Sequence, residues 1–296
     1  MKAAAFIYHC PQSLDEALAL LSQCENAKIL AGGQSLMPMM NYRLVGIDHL
    51  IDINGIDELS AIRQRAEHIE FGAMTRQYVI ADSALVREHL PLMAEAITHV
   101  GHVQTRNRGT LGGSLCHFDP SAEMALVAYS YGAELLVRSA KDQRVLSMRE
   151  FGQNFMTTTL TAEELLVVVR LTPWPKGHGY AFEEFARRHG DFAIVSVAIL
   201  MTLDPEGLMD RVSIHLGGVG ATPIRLEDLE LELLGQVPSQ SLFAKVTAVL
   251  SSMEALSDKL YPSWYRARLA QGLVSRSLAR AHQRCSNSGL IESQTS

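Results

Sequence analysis

The residues of this sequence best suited to chemistry are two glycine pairs, each followed by a hydroxyl side chain, and the chemistry they suit is anion binding. The first closes the apolar run Ile29-Leu30-Ala31 and reads Gly32-Gly33-Gln34-Ser35-Leu36. The second reads Arg106-Asn107-Arg108-Gly109-Thr110-Leu111-Gly112-Gly113-Ser114. A strand that stops on two glycines leaves backbone N–H groups unshielded by any Cβ, so an anionic oxygen can approach them closely. A single Gly-Gly pair also marks an ordinary turn, and either loop alone admits that reading. Together they offer two cradles, one for each of two phosphates. Neither is a Gly-x-Gly-x-x-Gly fingerprint, so a Rossmann dinucleotide site is not indicated.

The elements that must position these loops can be read from periodicity. Ser13 with Glu16 makes a capping box, and Leu14, Ala17, Leu18 and Leu21 recur at helical spacing, which predicts a helix over 14–23 ahead of the first loop's strand. His49 to Asn54 and His68 to Gly72 read as short strands, with Thr75 capping a turn of helix after the second. Pro91 opens a helix that reaches Gly101, and His99 and His102 bracket its end. A histidine there either caps the last carbonyls or, at His102, reaches a ligand. Asp119 or Ser121 caps a helix that carries Glu123 in its first turn and stops at Gly132. An acid in that position interacts favourably with the helix dipole. Ala133 to Arg138 and Leu165 to Leu171 read as strands, and the latter contains Leu166. Pro173, Pro175, Gly177 and Gly179 form the clearest linker, which places a domain boundary near 176. Beyond it, strands over 180–185, 193–203 and 212–216 precede helices over 226–234, 242–253 and 265–282. Such segregation predicts an antiparallel sheet with helices packed on one face.

Composition limits the alternatives. A chain of 296 residues with 47% apolar and 20% charged residues has the make-up of a globular protein of two domains. Its net charge of −6 supplies no basic field for nucleic acid or anionic membranes. No apolar run approaches the roughly 20 residues of a bilayer span, and the start lacks a secretory h-region, so a cytoplasmic location is expected. Cys10, Cys24, Cys116 and Cys285 form no C-x-x-C pair, which argues for free, mostly buried thiols and against an iron–sulfur or zinc site. Met37, Met39 and Met40 suggest adaptable packing more than a soft-metal site. Residues 285–296 are small and polar and are expected to form a disordered tail. No catalytic constellation is apparent: there is no Gly-x-Ser-x-Gly elbow and no defensible carboxylate pair, so the chemistry should reside in a cofactor.

The two loops, with the stretch Phe185-Ala186-Arg187-Arg188-His189-Gly190-Asp191-Phe192-Ala193, resemble the motifs of the FAD-binding (medium) subunit of the molybdenum hydroxylases, the xanthine dehydrogenase and carbon monoxide dehydrogenase family. The resemblance runs from the N-terminus to about residue 281. It implies an α+β fold, with a two-lobed PCMH-type FAD-binding domain over 1–176 (lobes about 1–55 and 56–176) and a C-terminal domain over 177–284. It further implies non-covalent FAD, with the pyrophosphate between the amides of Ala31 to Leu36 and those of Thr110 to Ser114. The residues so assigned to the cofactor are Ile29, Leu30, Ala31, Gly32, Gly33, Gln34, Ser35, Leu36, Thr110, Leu111, Gly112, Gly113 and Ser114. Glu123 joins them where relatives commonly place an Asp on the ribose, and Leu166 where the backbone meets the cofactor. Glu184 joins them where relatives often have Lys beside the flavin. A carboxylate cannot stabilise an anionic reduced ring, so either Arg187 or Arg188 substitutes for that cation or the potential is lower.

The implied role is an electron exit port. A molybdopterin-bearing large subunit oxidises a small substrate, two [2Fe–2S] clusters in a small subunit relay the electrons, and FAD in this chain hands them to an external acceptor such as a quinone, cytochrome or oxygen. The rival from the related flavoproteins is a self-contained oxidase of the vanillyl-alcohol type. That reading requires a dedicated substrate domain with catalytic Tyr, Arg or His. A binding module that had lost its flavin would show damaged glycine loops, and both loops are intact.

Overall fold

The first helix forms where the periodicity places it. In a computed structural model that describes residues 2–292, and of 286–292 the backbone only, α1 (Leu14–Gln23) starts at Ser13, whose side chain accepts from the Glu16 amide. The Glu16 carboxylate accepts from the amide of Gln12 at 2.8 Å, one residue before the position a capping box would use. Leu14, Ala17, Leu18 and Leu21 are buried, as the spacing requires. They pack on Ala27 and Ile29 of β2 (Ala27–Leu30) and Ile51 of β3 (His49–Asp52), which with β1 (Ile7–His9) form a parallel sheet in the order β1-β3-β2. On the opposite side of this sheet lies α2 (Leu36–Asn41), where Met40 is buried with Ile47 and Leu50 and Met37 packs against them. Met37 and Met40 are packing residues.

A second, antiparallel sheet follows: β4 (Ile62–Gln64), β5 (Ile69–Gly72), β6 (Glu134–Arg138), β7 (Gln143–Ser147) and β10 (Leu165–Leu171), in the order β4-β5-β10-β6-β7. Between these strands the chain forms α3 (Gln77–Asp82), α4 (Ala84–His89), α5 (Pro91–Ala96), α6 (Val103–Arg108), α7 (Leu111–His117), α8 (Glu123–Tyr131), α9 (Met148–Phe151) and the small hairpin β8 (Gly152–Asn154) with β9 (Thr157–Thr158). The Pro91 helix is shorter than its apolar pattern and ends at Ala96. Thr75 does not cap α3; its hydroxyl donates to the Ser60 carbonyl at 3.4 Å.

The C-terminal sheet is antiparallel, in the order β11 (Gly179–Phe185), β12 (Val195–Leu203), β13 (Met209–Gly217) and β14 (Ile224–Arg225). Asp204 to Gly207 makes the predicted turn, with Gly207 at φ +82° and its amide donating to the Asp204 carbonyl at 3.0 Å. Val195, Val197, Ile199 and Met201 face α10 (Glu227–Leu233), α11 (Gln240–Thr247) and α12 (Ser263–Glu292), which supply Leu233, Phe243, Leu273 and Leu278 to one core. The other face is also covered, by α5 and α8, so β12 is buried on both sides through most of its length.

Two compact units result. Of the described residues, one comprises those up to 82, 102–118 and 132–172; the other comprises 83–101, 119–131 and those from 173 onward. The units interleave along the sequence, because α5 and α8 pack on the sheet of the second unit. The tail expected from 285 continues as α12 to Glu292, and 293–296 lie outside the described residues. Among the described residues no helix is long and apolar enough to cross a membrane.

Candidate functional site

Both glycine loops lie in the first unit, and there they touch. A Cβ on Gly32 would sit 2.4 Å from the Arg108 carbonyl oxygen and 2.8 Å from the Gly109 Cα, so only glycine allows the two backbones this approach. Two residues that the sequence reading missed hold them together. Asn54 donates from Nδ2 to the Ala31 carbonyl at 2.9 Å and accepts at Oδ1 from Arg76 Nη2 at 2.5 Å. Arg76 Nη1 donates in turn to the Arg108 carbonyl. Asp52 orients Asn54 by accepting from its backbone amide at 2.9 Å, and it also accepts from the Tyr8 hydroxyl at 2.6 Å. Burial raises the Asp52 pKa, but the hydrogen bonds from Tyr8 and Asn54 outweigh it and hold the carboxyl below the usual range.

The first loop is open to a ligand. Among the described residues no acceptor is hydrogen-bonded to the amides of Gly32, Gly33, Gln34, Ser35 or Leu36, and the Ser35 side chain caps nothing. Gly33 has φ +73°, and a Cβ there would press on Met37 Cγ at 3.1 Å and Leu30 Cδ1 at 3.2 Å. Its glycine is therefore a requirement of the turn rather than of clearance for a phosphate.

The second loop differs from expectation. Its amides, assigned from sequence to a ligand, are largely occupied within the fold. Leu111 donates to the Thr75 carbonyl at 3.0 Å, Gly112 to Ala73 at 2.8 Å, Gly113 to Thr110 Oγ1 at 3.0 Å and Ser114 to the Thr110 carbonyl at 3.1 Å. The reason is local: Thr110 is the N-cap of α7, and the glycine pair forms that helix's first turn. Gly112 is glycine because a Cβ would meet Ala73 at 2.6 Å. What remains for a ligand is the Thr110 amide, the Ser114 hydroxyl, and the Thr110 hydroxyl proton, since that oxygen accepts from Gly113 and still has its O–H to give. Leu166 is buried in β10 beside an irregularity at Val167, whose carbonyl accepts from the Ala73 amide at 2.9 Å. The same Ala73 holds Gly112.

Glu123 and Glu184 belong to the second unit. Glu184 Oε1 lies 3.2 Å from His99 Nδ1, and its Oε2 is buried with no hydrogen-bond partner. The titratable group beside Glu184 is thus His99. Arg187 and Arg188, one of the two alternatives drawn from the sequence, both bind Asp191, at 3.2 and 3.4 Å. Hydrogen bonding to Glu184 raises the His99 pKa against the opposing effect of burial, and the imidazole packs on Phe182 with ring centroids 5.2 Å apart. Glu123 opens α8 and is buried; burial pushes its carboxyl up to about 7, and Glu184 adds to the rise. The thiols are less buried than expected: Cys10 and Cys116 are exposed, and Cys24 and Cys285 are half-buried.

An amide-lined turn braced by a second glycine loop, on a parallel sheet followed by an antiparallel one, defines a nucleotide-cofactor domain. Its relatives say which. Residues 3–174 match the family described as the FAD binding domain in molybdopterin dehydrogenase, and residues 180–281 match the CO dehydrogenase flavoprotein C-terminal domain. The chain belongs to this family, the FAD-binding medium subunits of molybdenum hydroxylase-type dehydrogenases. It is 40% identical over 288 residues to the caffeine dehydrogenase subunit beta of Pseudomonas sp. strain CBB1, covering 96% of this chain and 97% of that one. Among solved structures, a carbon monoxide dehydrogenase from Hydrogenophaga pseudoflava superposes with a TM-score of 0.92 at 34% identity, covering 96% of this chain and 100% of the other. Quinoline 2-oxidoreductase from Pseudomonas putida 86 matches equally, with a TM-score of 0.92, 34% identity, and 96% and 99% coverage.

Proposed function

We propose that this chain is the FAD-carrying electron-transfer subunit of a heteromeric, cytoplasmic molybdenum-dependent hydroxylase or dehydrogenase. When bound, non-covalent FAD would take electrons from [2Fe–2S] clusters of a small partner subunit, fed by a molybdopterin large subunit, and release them to an external acceptor. The observation that carries the reading is the row of unpaired amides from Gly32 to Leu36, within a chain that matches both domains of the family. These residues fit a diphosphate. Five unpaired N–H groups and the Ser35 hydroxyl supply donors, the Thr110 and Ser114 hydroxyls add two more from the second loop, and Arg76 and Arg108 lend positive charge.

The protein's contribution is to bind and orient. Asn54 and Arg76 keep the two loops at a fixed separation, so the donors are organised before a ligand arrives and little ordering is lost on binding. By the family resemblance, Leu166 offers its backbone, Glu123 the ribose contact, and Glu184 a place beside the ring. A carboxylate compensated by His99 replaces a lysine there, so any positive charge is titratable rather than permanent.

The test is direct. The purified chain should be yellow and should release FAD, not FMN, on denaturation. Alone it should oxidise no substrate, and activity should appear when molybdenum and iron–sulfur subunits are expressed with it. Substrate-dependent dye reduction by the chain free of molybdenum and iron, at the rate of the full preparation, would establish the self-contained oxidase instead.

A further inference from the structure

The face of the first sheet that carries α1 holds a cluster which the glycine loops do not use. His9 closes β1, His49 opens β3, and Cys24 caps the C-terminal end of α1. His9 Nε2 lies 3.0 Å from His49 Nδ1, and the same nitrogen lies 3.9 Å from Cys24 Sγ. All three ligand atoms fall within 4.8 Å of one another, and all three residues are half-buried. No sequence motif announces them, because fourteen and twenty-four residues intervene and only the parallel pairing of β1 with β3 beneath α1 assembles the set.

We propose that His9, Cys24 and His49 form a zinc site. The argument is first geometric. Bonds of about 2.0–2.1 Å to nitrogen and 2.3 Å to sulfur put neighbouring ligands of a tetrahedral zinc about 3.4 Å (N to N) and 3.6 Å (N to S) apart. The two edges at His9 Nε2 differ from these by a few tenths of an ångström and the third, from His49 to Cys24, lies within 4.8 Å, so side-chain rotations close the site. The second argument is chemical. His9 Nε2 faces both an imidazole nitrogen and a thiol, and a ring nitrogen can either donate one proton or accept with one lone pair. A shared cation meets all three groups at once. Two imidazoles and a thiolate form a borderline-soft set that favours zinc over magnesium or calcium, and partial exposure leaves the fourth position to water. Such a metal would staple the end of α1 to β1 and β3, in the sheet whose β2 leads into the first glycine loop. This goes beyond the sequence reading, in which the lack of paired cysteines argues against zinc.

The test uses the full-length chain without a histidine tag, stripped with a chelator and reloaded with zinc alone or cobalt alone. One zinc per chain should survive gel filtration, and the melting temperature should rise with zinc. Cobalt should give the intense visible bands of a tetrahedral site together with a thiolate-to-cobalt charge-transfer band in the near ultraviolet. Cys24→Ser should lose the charge-transfer band while Cys10→Ser and Cys116→Ser keep it, and the double variant His9→Asn/His49→Asn should lose stoichiometric binding. Absence of a thiolate band from the unmutated chain overturns the proposal whatever the variants do. So does undiminished binding in a folded His9→Asn/His49→Asn chain, which would place the metal elsewhere.

Discussion

His99 Nδ1 sits 3.2 Å from Glu184 Oε1, while the other oxygen of that carboxylate is buried and unpartnered. The charge of this pair depends on pH. A histidine whose pKa is raised on folding contributes stability that is complete below its ordinary value of 6.5 and is lost as pH rises through the raised value. Glu123, in the same unit, adds to the trend. A carboxyl raised from 4.5 to about 7 costs nothing while folded and unfolded chains both hold the proton, and the cost grows between those values to a plateau above them.

The first prediction is that stability of the chain falls as pH rises from 4.5 through neutrality, and that Glu123→Gln removes much of the slope. The variant should be more stable than the parent at pH 8 by on the order of 3 kcal/mol and nearly equal to it at pH 4.5. Urea unfolding at the two pH values measures this. An equal effect of the substitution at both would show that Glu123 holds no raised pKa.

A second prediction ranks the glycines of the first loop. Gly33→Ala forces a side chain into left-handed backbone and should cost about 1–2 kcal/mol. Gly32→Ala must push the second loop away, because its Cβ would lie 2.4 Å from the Arg108 oxygen, and should cost about 3 kcal/mol. Flavin content should fall further in Gly32→Ala than in Gly33→Ala. The reverse order, measured by flavin absorbance per chain, would mean that the turn and not the contact between loops governs binding.

Much of this architecture is legible in the sequence, because the elements that carry it have strong patterns. The α1 stripe, the six apolar residues of β10, the Asp204–Gly207 turn and the two glycine loops each announce themselves. Other elements lack such a signal for physical reasons. β7 is an exposed edge strand of mostly polar residues, and β1, α4, α6 and α7 are too short to show a period. The site was legible in its glycines but not in their reasons. Gly32 and Gly112 are small because backbone and Ala73 lie against them, which no local pattern reveals. Asn54, Arg76 and His99 were missed because each acts on a residue 22 or more positions away.

The third prediction follows from that long-range bracing. Asn54→Ala leaves Arg76 Nη2 without its acceptor and the Ala31 carbonyl without its donor, and Arg76→Ala frees the Arg108 carbonyl. Each should cost about 1–2 kcal/mol and weaken flavin retention. Arg76→Lys should not restore it, because one ammonium cannot reach both acceptors in the fork geometry. Flavin retained through gel filtration by both alanine variants at the parental level would show that the loops keep their spacing unaided.

The last prediction separates the two roles of Thr110. Its oxygen caps α7 by accepting from Gly113 at 3.0 Å, and its proton remains available to a ligand. Thr110→Ser keeps both and should leave stability and flavin content close to the parent. Thr110→Val keeps the shape but removes the acceptor and the donor. With the side chain almost wholly buried, it should cost about 1–2 kcal/mol and lose flavin as well. Thr110→Asn distinguishes the effects, since an Asn carbonyl caps a helix as well as Thr does but cannot give a hydroxyl proton from the same position. Near-parental thermal stability with reduced flavin content in Thr110→Asn would assign the hydroxyl proton to the cofactor, whereas undiminished flavin would confine Thr110 to capping.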